Sequence, residues 1–155
     1  MSPRSIVVAT AVLLAFHASA RAAGPEDRQT ATSRAPFPRV AEALRQAIAD
    51  ENMTLVCHAD AQRGAAARGV TIRGNQVFMV FRNDFAVRLL AAEPAAGFEA
   101  PIRIYIYENA DGTATVSYAR PTTLLSAYRH PEVAAVAAEL DAIFQRIVAR
   151  TLAAR

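Results

Sequence analysis

The chain has 155 residues, a net charge of +3 from 17 basic and 14 acidic side chains, one cysteine and no tryptophan. Every basic residue is arginine, yet no basic run and no arginine-rich helix face occurs, which argues against nucleic acid as a partner. One cysteine excludes an intramolecular disulfide.

The N-terminus reads as a secretory signal peptide over residues 1–22. A short charged start, Met1 to Arg4, precedes an uncharged apolar run, Ile6 to Phe16, and then small residues around Ala18, Ala20 and Ala22. The apolar run is well short of the ~20 residues that span a bilayer, and no cysteine follows it that could carry a lipid anchor. Cleavage after Ala20 or Ala22 leaves 135 or 133 residues, one domain's worth. Cleavage after Ala22 leaves 15 arginines against 14 acids, a net charge of +1. The expected location is periplasmic or secreted, in a bacterium, with no membrane association once the signal is gone.

Residues 23–33 are polar and read as a flexible tether running into a short first strand; the folded domain is expected over 34–152. Pro38 suits the first turn of a helix. Val40, Leu44 and Ile48 then recur at helical spacing, so an amphipathic helix should end near Asp50 to Asn52. Met53 to His58 reads as a strand, and the alanines of Arg63 to Arg73 as a turn of helix closed by Gly69. Gln76 to Arg82 (QVFMVFR) is apolar on both faces, as for a strand covered on both sides. Asn83-Asp84 can cap a short helix that places Phe85 and Leu89 together; Pro94 to Pro101 reads as a loop.

Ile102 to Tyr118 is the clearest unit, a hairpin turning at Asn109-Ala110-Asp111-Gly112. Counting outward pairs Ile106 with Val116, Ile104 with Tyr118 and Tyr105 with Ser117. One face carries Ile102, Ile104, Ile106 and Val116. The other carries Arg103, Tyr105, Tyr107, Thr115 and Ser117. Pro121 to Tyr128 reads as a helical turn. Pro131 opens a long helix to about Leu152, with Val133, Val136, Leu140, Ile143 and Ile147 as its stripe. The fold class is α+β: a mainly antiparallel sheet in strand–helix–four-strand–helix order, with the helices on one face.

The stretch PIRIYIYENADGTATVSYARP resembles the hairpin segment of the domain-of-unknown-function 302 family. QVFMVFRND resembles that family's strand ending in asparagine, and Asp60 matches its aspartate. The resemblance covers roughly Thr30 to Val148. Asp84 stands where the family has proline, and Ala61 where many members have histidine. It implies a topology similar to the TATA-binding-protein-like folds and a dimeric habit. It implies no activity.

Chemistry is sparse. In a regular strand through LVCHAD, Leu55, Cys57 and Ala59 share one side, and Val56, His58 and Asp60 the other. Cys57 is then expected as a buried small hydrophobe. A metal- or redox-linked alternative would draw on Cys57, His58 and His130, with Met79 as a further soft donor. A triad of Ser117, His58 and Asp60 needs a geometry that sequence does not supply. No cofactor motif, metal-ligand spacing or nucleophile–base pair occurs, which points away from an enzyme. The expected binding surface is Arg103, Tyr105 and Tyr107, with His58 and Asp60. The expected function is a non-catalytic exported module that self-associates, as a homodimer, with an unidentified periplasmic protein or small ligand as further partner classes.

Overall fold

The computed structural model describes residues 27–154. The signal-peptide reading therefore lies outside the described residues. Five strands form one antiparallel sheet in the order β1-β5-β4-β3-β2. They are β1 (Arg28–Pro36), β2 (Thr54–Asp60), β3 (Asn75–Phe81), β4 (Ile102–Glu108) and β5 (Thr113–Ala119). The helices are α1 (Phe37–Asp50), α2 (Ala61–Ala66), α3 (Asn83–Ala92), α4 (Pro121–Leu124) and α5 (Pro131–Leu152). A 3₁₀ segment, Pro94–Glu99, occupies the expected loop and is followed by a cis Ala100–Pro101 bond.

The core lies between one sheet face and the long helices. Phe78 and Val80 of β3, Ile104 and Ile106 of β4 and Val116 of β5 are almost wholly buried. They meet Val40, Leu44 and Ile48 of α1 and Val133, Val136, Phe144 and Ile147 of α5. Helix α1 ends where Asn52 takes a left-handed conformation (φ 54°), a backbone that asparagine tolerates. Arg146 and Arg150 of α5 bridge to Glu51 and Asp50 there, tying the two C-terminal ends together. Among the described residues no helix is long and apolar enough to cross a membrane.

The hairpin has the expected register, with Ile106 opposite Val116, Ile104 opposite Tyr118 and Tyr105 opposite Ser117. Gly112 sits at φ 82°, and the Asn109 N–H donates to the Thr113 carbonyl at 2.8 Å, closing the turn.

Three expectations need correction. The tether is too long by six residues: β1 begins at Arg28, zipped to β5 from Arg28 opposite Ala119 to Ser33 opposite Ala114. Polarity does not prevent this, because Thr30 and Thr32 lie against Ser117 and Thr115 with hydroxyl contacts of 3.4 and 3.3 Å. Asn83-Asp84 does not cap α3. Arg82 is the capping position and makes no side-chain cap bond; its Nε instead donates to Asp84 at 2.8 Å while its guanidinium lies over the Phe85 ring. That hydrogen bond holds the Asp84 carboxyl below its ordinary range. The third correction concerns β2.

Candidate functional site

Strand β2 is not regular. Leu55 pairs with Val80 and Cys57 with Met79, so two residues of β2 advance while β3 advances one. Val56 is the extra residue of a β-bulge. Beyond it the alternation is inverted. His58 now pairs with buried Phe78 and faces the helices, whereas Cys57 pairs with Met79 on the other face and is exposed. The expectation of a buried Cys57 is thereby overturned: one inserted residue exchanged its face with that of its neighbour.

The bulge divides the expected site. His58 and Asp60 lie on the helix side of the sheet; Arg103, Tyr105 and Tyr107 lie on the opposite, outer side. The two groups cannot act on one ligand. On the helix side, the His58 ring lies 4.7 Å from the Phe78 ring, tilted 50° to it, and the Arg45 guanidinium approaches its ring nitrogens at 3.1 and 3.3 Å. His58 Nε2 is 3.0 Å from Gln76 Oε1, and Gln76 Nε2 donates to Asp60 at 3.4 Å. Arginine can only donate and the Gln76 oxygen can only accept, so the tautomer that satisfies both carries its proton on Nε2. Asp60 accepts the Arg63 N–H at 2.9 Å, capping α2. Every member of this chain is engaged in holding α1, β2, β3 and α2 together. His58 and Asp60 do not touch, because Gln76 stands between them.

The triad is also taken apart. Ser117 is on the outer face, hydrogen-bonded to Thr30, with the sheet between it and His58. The soft donors are likewise dispersed: Cys57 is outside, His58 inside, and His130 caps α5 by accepting the Glu132 N–H at 3.1 Å. Among the described residues, no three His, Cys, Asp or Glu side chains converge.

The outer face is laid out in rows. One row runs Ala59, Val77, Tyr105, Ser117, Thr30. The next runs Cys57, Met79, Arg103 and, one step further along the β4–β5 register, Ala119 and Arg28. Tyr105 and Tyr107 stack with ring centroids 5.6 Å apart, and Asn75 Nδ2 donates to the Tyr105 hydroxyl. A groove of about 640 Å³ follows the second row. Its floor is Val77, Met79 and Ala119; Phe98, Pro101 and Leu124 wall one end. Phe98, on the 3₁₀ segment, is 88% exposed at this rim.

Sequence reasoning placed Arg103, Tyr105 and Tyr107 together. It missed Arg28, which fell in the supposed tether, and Phe98, which fell in the supposed loop. Only the register brings these to the same groove.

Comparison with known proteins agrees with this architecture. The profile described as Domain of unknown function DUF302 matches residues 29–151. The chain belongs to the DUF302 family. A crystal structure of an uncharacterized conserved DUF302 protein from Bacillus stearothermophilus superposes with a TM-score of 0.68. It is 18% identical in sequence, and the match covers 83% of this chain and 98% of that one. At that identity the likeness speaks for the DUF302 fold alone. No curated protein matches the chain.

Proposed function

We propose that this DUF302 protein is an exported, non-catalytic binding module that self-associates through the outer face of its sheet. One observation carries the reading. Helices α1, α3 and α5 all lie on the opposite face, and the outer surface of β2, β3 and β4 presents Cys57, Ala59, Val77, Met79, Tyr105 and Tyr107 with Arg103 as its only charge. Helix α2 buries none of its own residues and does not roof it. An apolar and aromatic surface of this kind, left uncovered by the described residues, marks an interaction site. A two-fold pair would bury it isologously, and Arg103 of each copy could lie over the tyrosine rings of the other.

Sedimentation of residues 23–155 at micromolar concentration tests this. A dimer is expected, converted to monomer by Tyr105→Asp, which would place two unpaired carboxylates in the contact. A wild-type monomer at 100 µM would remove the self-association. Export is tested separately: the N-terminus of the protein recovered from the native host should be Arg21 or Ala23, and an intact Met1 on a cytoplasmic product would remove it.

A further inference from the structure

The outer face carries a second, chemically different feature that shares Val77 and Met79 with the apolar surface just described. Arg103 of β4 and Arg28 of β1 stand on one row with only Ala119 of β5 between them. Two strand spacings put their backbones about 10 Å apart. Neither guanidinium has a hydrogen bond or ion pair among the described residues, and they are the two arginines that line the groove. The methyl of Ala119 leaves the space between the two open. The groove's one carboxylate, Glu99, lies at the walled end and accepts from the Tyr128 hydroxyl at 3.3 Å. Two like charges flanking a small residue repel one another, and an anion seated between them would relieve that.

The surroundings say what else such an anion carries. Met79, Val77 and Ala119 make an apolar floor, Pro101 and Leu124 an apolar wall, and Phe98 an aromatic edge standing in water. The volume of about 640 Å³ is within the range of small-molecule sites, roughly 300–1,000 Å³. A free phosphate would leave the apolar walls unused. A flat bilayer surface would not reach the groove floor, where Val77 and Met79 are only partly exposed. We propose that the groove binds one small amphiphilic anion per chain. Its carboxylate or phosphate head sits between Arg28 and Arg103, and its apolar body lies along Met79 and Val77 beneath Phe98.

Isothermal titration of residues 23–155 with laurate, below its micelle-forming concentration, tests the site. Laurate should bind at one per chain. Butyrate, which keeps the head, and dodecanol, which keeps the body, should each bind at least tenfold more weakly. Dodecyl phosphate binding more tightly than laurate would assign the head as phosphate, the reverse order as carboxylate. Arg28→Gln and Arg103→Gln should each weaken laurate tenfold or more, the loss expected for a charge-assisted hydrogen bond. Arg34→Gln, on the same edge strand but outside the groove, should not. Absence of laurate binding, or binding unchanged in both groove variants, overturns the proposal. Met79, Val77 and Arg103 also belong to the proposed dimer contact, so the titration is run at a concentration where sedimentation without ligand shows monomer; a monomer that ignores laurate refutes this reading and leaves the self-association untouched.

Discussion

The bulge at Val56 decides which side chains share a face, and the Cys57 thiol reports on it directly. With regular alternation Cys57 would sit beneath α1 and α5 with the core. A thiol reagent could then reach it only through opening of the fold. For a domain with a typical stability of ~5–10 kcal/mol, an opening that approaches global unfolding slows labelling by about 10⁴-fold to 10⁷-fold relative to the unfolded chain. With the bulge in place, Cys57 is exposed beside Met79. Its labelling should then fall within about tenfold of the rate in denaturant, since access is not the barrier. The two outcomes differ by a thousandfold or more, far beyond any uncertainty in reagent chemistry. The assay is labelling with a chromogenic disulfide at pH 8, native against 6 M guanidinium. Self-association would shield the same thiol, so the Tyr105→Asp chain, or wild type at nanomolar dilution, is the appropriate sample. Protection above about 10³ in that monomer would refute the bulged register, and with it the placement of His58 against Arg45 and Gln76.

Two further predictions concern the frame that holds this face. A methyl added at Gly74 would run into the Phe37 ring, whereas one at Gly64, in α2, would meet nothing within 4 Å. Gly74→Ala should therefore destabilise by about 1–3 kcal/mol and Gly64→Ala stabilise by roughly 0.5–1 kcal/mol, both read from denaturant midpoints; equal shifts would refute the packing at Gly74. Arg88 of α3 holds Glu139 at 2.8 and 3.1 Å and Glu132 at 2.7 Å on α5, and the hydrogen bonds from Arg88 keep the Glu139 carboxyl below its ordinary range. A depressed carboxylate stabilises above its unfolded pKa and loses that contribution as pH falls through its folded one. Arg88→Gln should lower the thermal midpoint modestly at pH 7, and the gap to wild type should close as pH drops below the usual glutamate range; a gap constant from pH 7 to 3 would refute the pairing.

The elements with a strong one-sided pattern were legible from sequence. The stripe of Val133, Val136, Leu140, Ile143 and Ile147 announced α5, and turn chemistry at Asp111-Gly112 fixed the hairpin register to the residue. What failed had weak patterning for physical reasons. Strand β1 is an edge: its core-facing positions Ala31, Ser33 and Ala35 are small, and its outer positions are hydroxyls and arginine. Hydropathy barely alternates in such a strand. The bulge at Val56 carries neither glycine nor proline to mark it, and valine is as good a strand residue as any. The helix-side contact of Arg45 with His58 joins α1 to β2 across a turn whose geometry no local pattern encodes.

The candidate site was the least legible part because it belongs to no single segment. Each strand contributes one or two of its residues, and only the pairing of all five turns Arg28, Ala119, Arg103, Met79 and Cys57 into a line. The same pairing shows where that face needs a partner. Over β1 and the far half of β5 the polar groups satisfy one another: Thr30 donates to Ser117, Thr32 meets Thr115, and Thr115 donates to Asn109 at 2.9 Å. Those hydroxyls want nothing further, so that corner can face water without cost. Among the described residues no such closure exists for the Tyr107–Tyr105–Val77–Met79 surface, which is apolar, or for Arg28 and Arg103, which are charged and have no partner there. The two needs differ in kind, one met by apolar contact and the other by an anion, and they meet at Arg103. Glutamine at position 103 should therefore disturb both, whereas glutamine at position 28, off the apolar surface, should disturb ligand binding alone.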